Sequence, residues 1–420
     1  MAPQIHLLVA IHGMWGNPDH LAALVREIST IAATDEFELN VLVAETNRSE
    51  HTYDGIDHGG ERIVVEIDER IKSLEETGAQ KVTRISVAGY SLGGLLSRYV
   101  IGILHSRKFF EKVKPINFNT FASPHIGLPR YPSLLSSIVS AVGSRLLSRT
   151  GEQFYGTDRW SGGKPLLEIM SETNSVFYEA LNLFPQLTIY ANAVHDTTVP
   201  YITAAIDTVD PFVDHEKRGL TVKYNSAYKP LIESYATGQP EEAHPRQRKP
   251  LFPPALQDLG FPLNVILIIA LPLFLPLIII IVLIRFSLDS RASRKRIKLL
   301  EADKHRASGW LSTMLQDINQ EVGDVVADIA GAPDDPDDPE AGTSLCRRIP
   351  KDQKAHPILS KSQMRMVANL NTLPNLKRQR AFIHPELNTH GVIICREEKR
   401  FESHKVGLGV VRHWRDNFQL

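Results

Sequence analysis

Gly89-Tyr90-Ser91-Leu92-Gly93 is the stretch of this 420-residue chain whose residue types and spacing most clearly announce chemistry. A serine hydroxyl attacks a carbonyl only when a base takes its proton and the oxygen is presented free of its neighbours. The flanks meet the second condition. A β-branched, apolar run from Val82 to Val87 leads in, and a helical pattern starts at Leu92. Strand, G-x-S-x-G and helix in that order form a nucleophile elbow, whose strained turn needs small residues two before and two after the serine. The N–H of Leu92 would then point toward a developing oxyanion.

An elbow serine needs an acid and a base from elsewhere in the chain. Leu187 to Val194 (LTIYANAV) reads as a strand and runs into His195-Asp196. An aspartate just past a strand, after the elbow and before the last histidine, stands where a triad acid belongs. Asp207, Asp210 and Asp214 compete, but they follow a helix-like segment. The base is expected late in the chain, which leaves His384, His390 and His404 open. His125 lies beyond the strand Pro115 to Phe121 and is expected at the rim of the site. TYDGIDHGGER adds His51, Asp54, Asp57 and His58. That segment reads as a loop capping the helix that follows, Glu61 to Glu76.

Buried strands at Gln4 to Ile11, Phe37 to Val43, 82–87, 115–121 and 187–194 alternate with helical patterns, which predicts an α/β fold with a mostly parallel sheet. A glycine-rich turn, His12-Gly13-Met14-Trp15-Gly16, follows the first strand. Residues 128–184 lack strand character and read as helices and loops laid over the strand ends like a lid. Lys+Arg is 47 against Asp+Glu 48, so the charge balance offers no case for nucleic acid. Two cysteines far apart, Cys346 and Cys395, suit a reducing compartment better than a disulfide scaffold. The apolar run Ile5 to Ile11 is too short for a signal peptide.

The second half changes character. Residues 221–260 read as a proline-rich linker. The run 261–286, FPLNVILIIALPLFLPLIIIIVLIRF, carries Arg285 as its only charge and is long enough to enter a membrane. A single span would separate Asp196 from every late histidine. Pro272 and Pro276 near its middle therefore predict a re-entrant hairpin or an interfacial anchor, and basic clusters on both flanks favour both ends on one side. Residues 287–358 read as a basic, amphipathic segment followed by an acidic flexible linker at 333–340. Residues 359–420 resume the core with the base, with Gly391 to Cys395 strand-like and a helix at the end. The core proper is expected at 1–220.

With these pieces assembled, the chain resembles the putative serine esterase family of lipase-like α/β-hydrolases, and fungal lipid-droplet phospholipases in particular. HLLVAIHGMWGNP, TYDGIDHGGERI, VAGYSLGGLLSRYVIG, TFASPHIG, ANAVHDTTVPYITAAI and the late THGVIICR carry the resemblance. It implies an α/β-hydrolase fold with Ser91 as nucleophile, Asp196 as acid and His390 as base. Met14 and Leu92 would be the oxyanion donors, with Trp15 and His125 near the substrate. The implied activity is hydrolysis of glycerophospholipid acyl esters through an acyl-enzyme, with no metal or organic cofactor. The implied partners are a phospholipid or neutral lipid and a lipid-droplet monolayer or endoplasmic reticulum membrane, with the catalytic domain facing the cytosol. The same triad would serve an acyltransferase or thioesterase, and a catalytically silent lipid-droplet protein could keep the fold for binding.

Overall fold

The computed structural model describes residues 3–76, 78, 80–238, 263–306 and 357–420. Strand and helix alternate from the start: β1 (Gln4–Ile11), α1 (Ala22–Ile28), β2 (Phe37–Val43), α2 (Ile56–Glu75), β3 (Val82–Tyr90), α3 (Leu92–Ser106) and β4 (Lys114–Phe121). Four helices follow: α4 (Leu134–Leu146), α5 (Ser148–Phe154), α6 (Leu166–Ile169) and α7 (Val176–Asn182). Then come β5 (Gln186–Asn192), α8 (Tyr201–Ala204) and the strands β6 (Leu220–Tyr224) and β7 (Ile232–Thr237). The chain closes through α9 (Leu263–Arg306), α10 (Lys361–Leu370), β8 (Leu376–Ala381) and α11 (Leu408–Asp416).

Six strands form one sheet in the order β2-β1-β3-β4-β5-β8, and every pairing in it is parallel. Parallel sheets need cover on both faces, which explains the continuous burial of Ile5 to Ile11 in β1 and Ile85 to Tyr90 in β3. One face is covered by α2, α3 and α7, with Leu96, Tyr99, Phe177 and Phe184 in its core. The other is covered by α1 and α11, where Leu24, Tyr190 and Trp414 pack together. The strand order has a functional result. β5 and β8 are neighbours, so the loops that leave their carboxyl ends, carrying 193–199 and 382–391, lie side by side.

Four expectations change. Part of the segment 128–184 belongs to the core: Leu166, Ile169, Met170 and Phe177 are fully buried in it. An amphipathic helix must bury its apolar face, and α7 buries its own against α3. The expected linker begins later than residue 221, because β6 and β7 pair antiparallel across 220–237. Leu220, Val222, Tyr224 and Ile232 pack on the cluster around Phe212 and Phe382, which pins the hairpin down. Gly391 to Cys395 is no strand. Val392–Ile394 is a buried 3₁₀ turn ended by Cys395 in a left-handed conformation, packed against α11.

The fourth change concerns the apolar run. α9 continues through Pro272 and Pro276 as one helix, so the chain does not turn back between them. Each proline removes one hydrogen bond from the ladder, a loss a long helix can absorb. The C-terminal half of α9 docks on the body. Ser290 Oγ donates to the Arg145 carbonyl at 3.1 Å, Ser293 meets Ser148 at 3.2 Å, and Arg296 pairs with Asp54 at 2.8 Å. Phe274 to Ile284, by contrast, are each about half exposed, with no face packed. Among the described residues no helix is long and apolar enough to cross a membrane. The acidic linker at 333–340 and most of the expected amphipathic segment lie outside the described residues.

Candidate active site

Ser91 sits in the turn between β3 and α3 with φ 56° and ψ −124°, a backbone state that strains any residue with a Cβ. Its N–H is anchored to the Phe121 carbonyl at 2.9 Å. Close packing makes the turn possible. A Cβ on Gly93 would lie 2.1 Å from the Ile11 carbonyl oxygen, and one on Gly13 would lie 2.7 Å from Ser91 Cβ. The turn after β1 is thus pressed against the serine, which brings Met14 into its neighbourhood. The 15-residue α3 also starts at Leu92, so its N-terminal dipole and free first-turn N–H groups are aimed near Ser91.

Three segments far apart in the chain converge here. His390 Nε2 lies 3.0 Å from Ser91 Oγ, and His390 Nδ1 lies 3.0 Å from Asp196 Oδ2. His384 and His404 are elsewhere: His384 faces His195, and His404 Nδ1 accepts the Glu397 N–H. Asp196 Oδ1 accepts the N–H groups of Thr198 and Val199 at 3.0 and 2.8 Å. Asn192 Nδ2 donates to Oδ2 at 2.8 Å. Burial alone would raise the Asp196 pKa, but the facing imidazole and these hydrogen bonds outweigh it and hold the carboxyl below its usual value. Asp196 is therefore ionised at neutral pH. A buried carboxylate facing Nδ1 favours the tautomer with its proton there, leaving Nε2 free to accept the serine proton.

The loop that carries His390 is tied to the loop that carries Asp196. Thr389 Oγ1 donates to the Val194 carbonyl at 2.9 Å, and the Thr389 N–H to the His195 carbonyl at 3.1 Å. Tyr90, next to the serine, donates its hydroxyl to the His390 carbonyl at 3.1 Å and packs its ring against the imidazole. Asn192, Thr389 and Tyr90 escaped the reading of the sequence. Only Thr389 carried a signal, as the residue just before a candidate base.

Trp15 is 49% exposed beside this centre. Its backbone N–H is engaged by Thr52 Oγ1 at 3.2 Å and its indole N–H by the Tyr53 hydroxyl at 2.9 Å, which leaves Met14 as the oxyanion candidate of that turn. The indole stacks on Phe286 of α9, with ring centroids 5.6 Å apart.

His125 does not sit at the rim. It is 2% exposed, bonded to Thr120 Oγ1 at 2.9 Å, and its carbonyl takes the buried Arg98 guanidinium at 2.7 Å. A strand-end histidine with two buried partners serves packing, and burial lowers its pKa far below the usual value. TYDGIDHGGER is structural as well, though not as a cap: Gly55 occupies the N-cap of α2. Asp54 joins Arg62 and Arg296, and Asp57 binds Arg149 and Gln153, so the segment fastens α9 and α5 to the core.

Residues 2–207 match the model of the family described as "Putative serine esterase (DUF676)". The chain is 30% identical over 239 residues to "Putative lipase ROG1" of Saccharomyces cerevisiae, covering 55% of this chain and 33% of the relative. It is 28% identical over 211 residues to "Putative lipase C4A8.10" of Schizosaccharomyces pombe, covering 48% of this chain and 26% of the relative. The chain thus spans a third or less of the length of these curated relatives. Among solved structures, a "putative cell surface hydrolase" from Lactobacillus plantarum overlaps 48% of this chain and 75% of its own, at 16% identity and a TM-score of 0.26. A "Lipase-esterase related protein" from Clostridium acetobutylicum overlaps 33% of this chain and 48% of its own, at 15% identity and a TM-score of 0.21. At those scores the likeness adds nothing to the topology described above.

Proposed function

We propose, for a chain that belongs over residues 2–207 to the "Putative serine esterase" family, that it hydrolyses acyl esters of glycerophospholipids at a lipid surface. The observation that carries the reading is the line Ser91–His390–Asp196, two contacts of 3.0 Å between residues 299 and 194 positions apart. His390 Nε2 takes the Ser91 proton as Oγ attacks the ester carbonyl, and Asp196 stabilises the imidazolium that forms. The N–H groups of Leu92 and Met14 receive the oxyanion; one such donor is worth about 10²–10³ in kcat in other hydrolases. His390 then gives its proton to the departing alcohol, leaving an acyl-enzyme that water clears by the same steps in reverse order.

The lipid surface is supported by α9. An apolar helix exposed on every side calls for an apolar environment, and Phe286, at its docked end, stacks on Trp15 beside Ser91. From Leu263 to Phe286 the helix is about 35 Å long at 1.5 Å per residue. Standing upright it would carry Leu263 toward the far leaflet of a bilayer. The chain before it, with Glu241, Glu242, Arg246, Arg248, Lys249 and Asp258, would then have to cross back to the body, at about 2.5–3.5 kcal/mol per charge. The helix therefore lies within one leaflet or enters the core of a droplet, with Ser91, Asp196 and His390 on the same aqueous side. A lipid-droplet or endoplasmic reticulum surface facing the cytosol fits that arrangement.

The test incubates the full chain and Ser91→Ala with phospholipid vesicles, triglyceride emulsions and a short soluble ester, and identifies the products. Free fatty acid and lysophospholipid from the wild type alone, with a fluorophosphonate probe labelling Ser91, is the expected result. Equal turnover by Ser91→Ala would overturn the assignment, and acyl transfer to an added alcohol in place of fatty acid release would reassign the reaction. A variant with Leu277, Ile280, Ile281 and Ile284 changed to serine should lose vesicle turnover and keep that of the soluble ester. Retained vesicle turnover would refute the lipid role of α9.

A further inference from the structure

A second group of chemically capable side chains stands beside the acid, and the proposed hydrolysis does not use it. His195 immediately precedes Asp196, His215 lies in the loop between α8 and β6, and His384 follows β8. Each offers a ring nitrogen, and the three nitrogens all lie within 4.8 Å of one another. His195 Nε2 and His384 Nδ1 are 3.1 Å apart, their rings stacked at 29°. His215 meets both edge-on, at 83° and 80° with centroids 5.6 and 5.5 Å away. Nδ1 and Nε2 of one imidazole diverge, so three rings on three separate loops point nitrogens at one place only if their backbones are arranged for it.

From this geometry we propose that His195, His215 and His384 bind a divalent transition-metal ion of the zinc class, which pins the acid loop to the base loop. Three arguments support it. The first is distance. Zn–N bonds of about 2.0–2.1 Å at tetrahedral angles set neighbouring ligand nitrogens about 3.3 Å apart, so the His195–His384 pair already has the required spacing. The His215 nitrogen lies within 4.8 Å of both. The second is an unmet need. His215 Nε2 is buried without a hydrogen-bond partner, and a buried polar atom left unpaired is costly. The third is donor chemistry. Imidazole suits zinc, copper and nickel, whereas magnesium and calcium prefer oxygen.

The surroundings say what such an ion would do. Phe382 packs edge-on against His215 at 5.3 Å and walls one side. His195 holds a left-handed backbone at φ 59°, a strained state that a bound metal would help maintain. Its carbonyl receives the Thr389 N–H, one residue before His390. One cavity is lined by His195, His215, Asn192 and Asp196 together. A metal here would not touch the reacting atoms. It would position Asp196 and His390 by fixing the two loops that carry them.

The experiment uses the full chain, stripped with a chelator and dialysed. Zinc uptake is followed by competition with a chromogenic chelator, and cobalt(II) by its visible spectrum. One ion per chain at micromolar metal, tetrahedral cobalt bands, a raised melting temperature and slower amide exchange across 384–392 are expected. His215→Gln and His384→Asn should each lose the cobalt bands and the thermal shift, while His404→Gln, altered outside the cluster, should keep both. No stoichiometric uptake by the wild type, or uptake unchanged in both cluster variants, would overturn the proposal. Neither readout depends on ester hydrolysis, so failure of the one reading leaves the other standing.

Discussion

Replacing Asp196 by asparagine exchanges one oxygen for an NH2 group at almost constant volume, and the surrounding hydrogen bonds dictate which oxygen is lost. Oδ1 accepts two backbone N–H groups, from Thr198 and Val199, at 3.0 and 2.8 Å. Keeping both requires the amide oxygen in that position. The NH2 group then falls where Oδ2 was, facing His390 Nδ1 at 3.0 Å and the Asn192 NH2 at 2.8 Å. His390 must answer a donor with an acceptor, so its proton moves to Nε2. That nitrogen can no longer take the proton of Ser91, and the charge that steadied the imidazolium is gone. The same substitution in a serine protease triad lowers kcat by about 10⁴, which is about 5.4 kcal/mol at 1.36 kcal/mol per decade. The donor–donor contact with Asn192 adds a stability cost of about 1–3 kcal/mol. Initial rates on a soluble ester, together with urea melts, measure both. A rate within tenfold of wild type, from protein whose melt shows it folded, would refute the tautomer argument and with it the role of Asp196.

Gly13→Ala places a methyl group 2.7 Å from Ser91 Cβ and 3.2 Å from Oγ, so the serine or the oxyanion turn must shift; ester turnover should fall about 10²-fold. Unchanged kcat/KM would mean that the turn after β1 does not bear on the reaction. His6 supplies a pH test. It is buried against Ser86 at 2.7 Å, and burial, with Arg84 adding to it, pushes its pKa down to about 3. The unfolded chain takes up a proton below about pH 6.5 that the folded chain refuses. Stability from this group is thus fully present above pH 6.5 and is lost as pH falls toward 3, by up to about 1.4 kcal/mol per pH unit. Urea midpoints from pH 7 to pH 4 should decline, and His6→Asn should flatten the decline; an identical slope in the variant would contradict the shift.

How far the sequence could be read depended on the range of each signal. The elbow was legible because its cause is local. A strained strand-to-helix turn needs its small residues within two positions of Ser91, and the apolar run before it is nearly continuous because a strand covered on both faces can be. β1, β4 and β5 were legible for the same reason, whereas β2, at the sheet edge and only partly buried, showed itself by the apolar positions of FELNVLV. β8 was harder. Leu376–Ala381 (LKRQRA) carries three basic residues, which an edge strand tolerates because its flank meets solvent.

Other questions had no answer in local pattern. His384, His390 and His404 are equivalent to any reading of spacing. The hydrogen bonds of Thr389 to Val194 and His195, formed because β8 lies beside β5, and that of Tyr90 to the His390 carbonyl hold His390 toward Ser91. The helix α7 would have the same apolar face whether it covered a substrate or a core, and the open surface of α3 decides it. Pro272 and Pro276 permit a turn without requiring one, and the docking of Phe286 to Ile297 on the body left α9 continuous. The gathering of His195, His215 and His384 is the extreme case. No periodicity links these positions, and only the packing of the β6–β7 hairpin and Phe212 against Phe382 brings the three loops to one point. A sequence specifies such contacts only through the sum of all its burial, because each contact is decided by which surfaces remain when the others have paired.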